Sequence, residues 1–190
     1  MNKERLGAFM DAVIAIVMTI LVLELEKPAA PTLEAFCDLK INFAAYALSF
    51  LWLAAMWTSL HNAWHVVSRI TNRTMWLSMG LLFFSSLFPY ATSLVSTYFM
   101  SRVVQGFYGI IVIATTVMLI LIYGSLAKDD DNESTARYMG QVRRFLLTDI
   151  VIKIAGTFLG VIFWPPLVSL GVLAAAIYIM IMRSVNSYEN

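Results

Sequence analysis

The sequence has very little cysteine and very little charge. Cys37 is the one cysteine among 190 residues, which excludes an intrachain disulfide and a multi-cysteine zinc site. Only 13% of the residues are charged, and 13 Lys and Arg against 12 Asp and Glu leave a net charge of +1. The basic residues are dispersed, whereas phosphate recognition needs a clustered excess of them. We therefore expect no nucleic-acid partner.

Enzyme motifs and a cleavable leader are also lacking. The sequence contains no G-x-S-x-G, no H-E-x-x-H and no Gly-rich phosphate loop. Asp11 interrupts the first apolar run, and no small-residue cleavage pattern follows it, so a signal peptide is not predicted. We predict a protein that is not an enzyme, needs no cofactor and keeps its first apolar segment.

Hydrophobic residues are abundant instead. They make up 60% of the chain, and the mean hydropathy of +0.77 is typical of an integral membrane protein. Apolar segments of spanning length recur six times, at roughly Phe9–Leu25, Ile41–Leu60, Trp76–Tyr98, Gln105–Tyr123, Phe145–Phe163 and Pro166–Met182. The sequence predicts an all-α fold in which residues 1–190 form a single domain of six transmembrane helices.

The distribution of Lys and Arg predicts the orientation of these helices. Nine basic residues lie on the side of both termini, and three lie on the other side, at Lys27, Lys40 and Arg102. Because cytoplasmic loops carry the excess of positive charge, both termini are predicted to be cytoplasmic.

Ionisable residues inside the predicted spans are the candidates for function, because they are costly in lipid. Asp149 and Lys153 lie four residues apart on the fifth helix and can neutralise each other, either as a structural pair or as a proton relay. His61 and His65 also share a helical face. They can form hydrogen bonds or sense pH at the membrane edge, and because no third ligand lies nearby in the sequence, no metal site is predicted there.

The first helix presents a more specific pattern. At about 100° per residue, Ile16, Ile20 and Leu23 form one stripe, and Asp11 lies about 140° from Ile16. Both cannot face the same pore. Either the stripe faces a pore while Asp11 points back into the bundle, or Asp11 lies at the pore mouth and the stripe is ordinary packing.

This segment resembles the signature of the transmembrane protein 175 family, the endosomal and lysosomal potassium channels and their bacterial homologues. The family motif is Arg-x-x-x-Phe-Ser-Asp, and Arg5, Phe9 and Asp11 match it, while Met10 replaces the serine. The resemblance continues through "TILVLELEKP" at 19–28, "WTSLHNAWH" at 57–65 and "LLFFSSLFPYATSLV" at 81–95. Six spans fit the single-repeat bacterial form.

The resemblance implies a homotetramer in which the first helices surround a pore in the bilayer. It implies an apolar constriction at Ile16, Ile20 and Leu23 in place of a carbonyl filter, and Thr19 flanks this stripe and can present a hydroxyl to a passing ion. No cofactor is implied beyond the permeant potassium ion.

A supporting network is implied behind the pore helix. Arg5, Phe9 and Asp11 supply the motif, and His61 is the second-helix histidine that the resemblance adds. Because methionine forms no useful hydrogen bond, Met10 leaves one link of this network missing or replaced. Glu24 and Glu26, near the outer end of the helix, are candidate cation-attracting groups or part of a solvated loop.

The sequence therefore predicts a potassium-permeable channel, K⁺ over Na⁺, in a bacterial inner membrane. The alternative is a proton-coupled secondary transporter that uses Asp11, Asp149 and Lys153.

Overall fold

A computed structural model describes the backbone of residues 3–187 and the side chains of residues 3–179. Over this range the chain folds into eight α-helices without strands. They are α1 (Lys3–Leu23), α2 (Leu33–Asp38), α3 (Lys40–Val66), α4 (Asn72–Ser86), α5 (Phe88–Thr97), α6 (Arg102–Asp129), α7 (Glu133–Ile162) and α8 (Leu167–Ser187). The predicted all-α class is confirmed.

Five segments of the described chain are long and apolar enough to cross a membrane. They are α1, α3, the α4–α5 pair over Asn72–Thr97, α6 and α7. The sixth predicted span, Pro166–Met182, corresponds to α8, but its end lies outside the described side chains, and the apolar stretch found there is the shorter Leu167–Ile179. The count of six spans stays a prediction.

The helices are longer than the apolar runs that revealed them. α1 begins at Lys3 rather than Phe9, and α3 continues to Val66 rather than Leu60. α7 begins at Glu133, twelve residues before the predicted start, because Asn132 caps it by accepting a hydrogen bond from the Ser134 N–H at 3.0 Å. Hydropathy marks only the part of a helix that lies in lipid, whereas backbone hydrogen bonding continues into water.

The third predicted span is broken in its middle. α4 ends at Ser86 and α5 begins at Phe88, with Leu87 between them. Pro89 lies in the first turn of α5, where its missing N–H and its ring prevent one continuous helix. The Phe88 ring stacks on Trp52 of α3 at a centroid distance of 4.9 Å, which fixes the break against the core.

Hydroxyl groups join the helices across the buried core. Ser49 of α3 shares a hydrogen bond with the Tyr108 hydroxyl of α6 at 3.1 Å and accepts one from Thr92 of α5 at 2.8 Å. Further along α3 and α6, the hydroxyl oxygens of Ser59 and Tyr123 lie 2.6 Å apart and share a hydrogen bond. Such bonds orient helices in a bilayer, where burial of apolar surface cannot drive their association.

The acidic run at the end of α6 binds the α3–α4 loop. Asp130 Oδ2 accepts hydrogen bonds from the Ser68 N–H at 2.7 Å and the Ser68 hydroxyl at 3.0 Å. Asp129 Oδ2 accepts from Thr71 at 2.8 Å, and Arg69 forms an ion pair with Asp131. The two backbone N–H groups of Ser68 and Asn132 hold the pKa of Asp130 below its usual value.

Glycines allow α7 and α8 to touch. A Cβ atom built on Gly156 would lie 3.0 Å from the Cα of Gly171. One built on Gly160 would lie 2.5 Å from a methyl group of Val168 and 2.9 Å from its backbone nitrogen. The hairpin of α7 and α8 therefore depends on the absence of side chains at these positions.

We expect Gly160→Ala to destabilise the protein by about 1–3 kcal/mol, because its methyl group would push against the backbone of α8. Gly140→Ala, on the same helix, is the matched control. No neighbour lies within 4 Å of a Cβ at Gly140, so alanine there should stabilise by about 0.4–1 kcal/mol. Thermal unfolding in detergent measures both, and a Gly160→Ala melting temperature at or above that of the parent chain contradicts the close packing.

Candidate pore helix

α1 has two apolar faces with different surroundings. One face is buried against α3, α4 and α5 and consists of Leu6, Met10, Ile14, Val17 and Leu21. The spacing of these residues follows the helical period, so they form one continuous stripe. The other face points away from the rest of the chain.

The predicted constriction residues lie on the exposed face. Ile16 is 57% exposed, Ile20 37% and Leu23 78%. None of them contributes to the chain's own core, so this stripe is available to line a pore, to contact another copy or to face lipid. The structure does bring the three residues together on one side of α1.

Thr19 lies beside this stripe and is exposed. Its hydroxyl donates a hydrogen bond to the Ile16 carbonyl oxygen at 2.8 Å. The hydroxyl proton is used in this bond, and the Thr19 oxygen keeps its lone pairs as acceptors. An oxygen in this state can accept a hydrogen bond or contact a cation.

Asp11 points into the bundle. Its Oδ1 accepts a hydrogen bond from the indole Nε1 of Trp57 on α3 at 2.8 Å. Of the two arrangements that the sequence leaves open, this orientation matches the one in which the carboxylate lies behind α1 and the apolar stripe faces outward. A charge-assisted hydrogen bond of this kind fixes the rotation of the helix about its axis.

Trp57 is the residue that sequence reasoning missed. Direct hydrogen bonds from Arg5 or His61 to Asp11 are not found among the described residues, and Arg5 and Phe9 are exposed. His61 instead packs against the Trp57 ring at a centroid distance of 5.1 Å. The signal was present in "WTSLHNAWH", because Trp57 and His61 lie four residues apart on one face and an indole N–H in apolar surroundings needs an acceptor.

Met10, the departure from the motif, lies in the core. It is 1% exposed and belongs to the buried stripe of α1. A flexible thioether fills this space, and it contacts apolar neighbours instead of donating a hydrogen bond.

The predicted cation-attracting residues follow the end of α1. Glu24 is half-buried, and Glu26 is exposed and accepts a hydrogen bond from Thr97 at 3.5 Å. Both carboxylates are therefore close to the end of the helix that carries Leu23, where the α5 terminus also lies.

Asp149 and Lys153 form a buried ion pair on α7. The Lys153 ammonium also donates to the Thr116 hydroxyl of α6 at 2.9 Å and lies 4.8 Å above the centroid of the Trp52 ring. Both charged side chains are almost fully buried, and the second carboxylate oxygen of Asp149 has no hydrogen-bond partner among the described side chains. The pair therefore joins three helices, α3, α6 and α7.

No chain of hydrogen bonds connects this pair to Asp11 within residues 3–179. The bond of Asp11 ends at Trp57, and the bonds of Lys153 end at Thr116 and Asp149. A proton relay through all three residues would need further groups between them. The geometry by itself is that of a structural cross-link.

We expect Lys153→Met alone to destabilise the protein by about 3–5 kcal/mol, because it leaves the Asp149 carboxylate buried without a counter-charge. The double variant Asp149→Asn with Lys153→Met removes both charges and should recover most of that loss. Unfolding in detergent, followed by circular dichroism, measures the cycle. Equal stability of the single and double variants contradicts a coupled pair.

The sequence of this chain is similar to those of known ion channels. A family model described as the endosomal/lysosomal potassium channel TMEM175 matches residues 5–89, which run from the first turn of α1 to the start of α5. A protein from Chryseobacterium sp. (strain P1-3), named a potassium channel, is 30% identical over 134 residues, which is 70% of each chain. Chicken TMEM175, named an endosomal/lysosomal proton channel, is 31% identical over 110 residues, 52% of this chain and 22% of its own.

The fold is also that of a solved channel. The crystal structure of a lysosomal potassium-selective channel TMEM175 homolog from Chamaesiphon minutus has a TM-score of 0.73 to this chain and 23% sequence identity. The similarity covers 95% of this chain and 97% of that one, so it includes α6, α7 and α8, which lie outside the residues that the family model matches. The chain is an integral, multi-pass membrane protein, and it belongs to the TMEM175 family of ion channels.

Proposed function

We propose that this protein is a potassium channel whose pore is lined by α1. The observation that carries the proposal is the orientation of that helix: Asp11 is bonded to Trp57 behind it, and the stripe of Ile16, Ile20 and Leu23 faces away from the bundle. Bacterial relatives named potassium channels support the permeant ion.

An apolar stripe can control ion passage without a carbonyl filter. When several copies of α1 bring Ile16 together, the ring of side chains excludes water if it is narrow and blocks ions by dewetting. When the ring is slightly wider, an ion must shed part of its hydration shell. This costs more for the strongly hydrated Na⁺ than for K⁺. The Thr19 oxygen, beside the stripe, compensates part of the lost hydration.

One chain cannot enclose a pore with one helix, so the proposal requires an assembly. α1 packs mainly on α3, α4 and α5 at one edge of the bundle, which leaves its other face for further copies. We propose a homotetramer in the bilayer, as the family resemblance implies, with both termini cytoplasmic. The bacterial relatives favour a bacterial inner membrane.

Glu24 and Glu26 attract cations to the outer mouth of the proposed pore. Carboxylates beyond the end of α1 raise the local concentration of cations before they reach Leu23. The hydroxyl of Thr97, at the end of α5, lies 3.5 Å from the Glu26 carboxylate.

We expect Ile16→Asn to change ion flux through liposomes that contain the purified protein. A polar side chain keeps the constriction wet, so K⁺ leak should rise or the preference for K⁺ over Na⁺ should disappear. Ile110→Asn is the matched control, because Ile110 of α6 is 63% exposed but lies on another helix. Its flux and selectivity should equal those of the parent chain.

Two results would overturn this assignment. Equal effects of the two asparagine variants would show that Ile16 has no special position. Saturable uptake that collapses with the proton gradient would favour the transporter alternative. The assembly is tested separately by cross-linking in mild detergent, where the largest species should have four times the chain mass of 21.3 kDa.

Trp57→Phe tests the anchor behind the helix. Phenylalanine keeps the aromatic ring that packs on His61 and removes the N–H that Asp11 accepts, so the stability should fall by about 1.5–3 kcal/mol and K⁺ flux should change. Trp76→Phe, at an exposed position of α4, is the control and should alter neither. Unfolding in detergent and liposome flux measure the two effects. A Trp57→Phe channel identical to the parent in both would contradict an orienting role.

A further inference from the structure

Two histidines face each other at the end of α3. The Nε2 atoms of His61 and His65 lie 3.0 Å apart, and their rings meet edge to face at a centroid distance of 4.5 Å. His65 is exposed and His61 is half-buried, so water reaches the pair from one side. In this arrangement one ring donates its proton to the other ring.

We propose that His61 and His65 form a binding site for one divalent transition-metal ion. Two imidazoles at positions i and i+4 of a helix can each direct one nitrogen, here Nε2, toward a shared ion. Imidazole is a preferred ligand of Ni²⁺, Cu²⁺ and Zn²⁺. The inference goes beyond the proposed channel function and does not depend on it.

The observed geometry needs little change to accept a metal. Two nitrogens at about 2.0–2.1 Å from a tetrahedral ion lie about 3.3 Å apart. The present separation of 3.0 Å therefore has to widen by a few tenths of an ångström, which small rotations of the two rings supply. The metal takes the place of the shared proton, and the donor ring exchanges that Nε2 proton through solvent for one on Nδ1, so both neutral imidazoles bind through Nε2.

Water completes the coordination. No group of three or more His, Cys, Asp and Glu side chains lies close enough to hold an ion within the described part of the chain. Exposure of His65 gives solvent access to the remaining positions. A site with two protein ligands and bound water exchanges its metal readily, which suits a reversible ligand and not a permanent structural ion.

The site is in contact with the anchor of the pore helix. The His61 ring packs on Trp57, whose N–H holds Asp11 of α1. A metal that fixes the His61 ring therefore lies next to the indole, and a paramagnetic ion such as Ni²⁺ quenches its fluorescence from there. This contact provides a second measurement that is independent of ion flux.

The test is titration of the full chain in detergent with NiCl₂, after removal of any affinity tag, by isothermal calorimetry. The parent chain should bind one Ni²⁺ ion. His61→Ala and His65→Ala should each weaken the affinity at least tenfold, and Asn62→Ala, between them on another face, should leave it unchanged. MgCl₂ should give no binding, because Mg²⁺ prefers oxygen ligands.

Tryptophan emission distinguishes Ni²⁺ bound at His61 and His65 from Ni²⁺ bound elsewhere on the protein. Ni²⁺ should quench the emission of the parent chain, and Trp57→Phe should reduce that quenching while the calorimetric affinity remains. Unchanged helical circular dichroism in the histidine variants shows that lost binding is not lost folding, and His65→Gln serves if His65→Ala fails to fold. Absence of Ni²⁺ binding, or binding unaffected by the His65 variants, overturns the proposal.

Discussion

The hydrogen bond between Trp57 and Asp11 is the interaction on which the orientation of α1 depends. α1 is apolar on both faces, so hydrophobicity alone cannot decide which face turns toward the bundle, least of all in lipid. A rotation that moved Ile16 inward would carry the carboxylate out of reach of the indole. A charged group without its partner in that environment costs several kcal/mol, whereas either apolar face can meet lipid or other apolar side chains. One polar contact thus selects the face that remains open.

Polar contacts also fix the arrangement of other helices in the bundle. Ser49 with Tyr108 and Ser59 with Tyr123 connect α3 to α6, and Lys153 with Thr116 connects α7 to α6. Apolar side chains fill the space between these contacts but do not distinguish one rotation of a helix from another. The polar residues of the spans are therefore few, and most of them serve the arrangement of helices. Those left on open surfaces are correspondingly more informative about function.

Much of this arrangement was predictable from the sequence, and the failures have definite causes. Apolar runs located the spans, and helical periodicity placed Ile16, Ile20 and Leu23 on one stripe opposite Asp11. Helix ends were misjudged, as at Glu133, because polar residues continue a helix beyond the lipid. The partner of Asp11 was assigned to His61 by resemblance, and Trp57 was missed because the choice between neighbouring residues on one face depends on how two helices pack. The role of Asp129–Asp131 was missed for the same reason, since its partners lie in the distant α3–α4 loop.

The glycine contacts between α7 and α8 have a mechanical consequence. Where backbones touch, as at Gly156 and Gly171, no side chain remains between the helices to slide or change rotamer. The packing between α7 and α8 is therefore stiff. A rearrangement of the bundle is therefore expected first at contacts made by side chains, such as those of α1, and last between the touching backbones of α7 and α8.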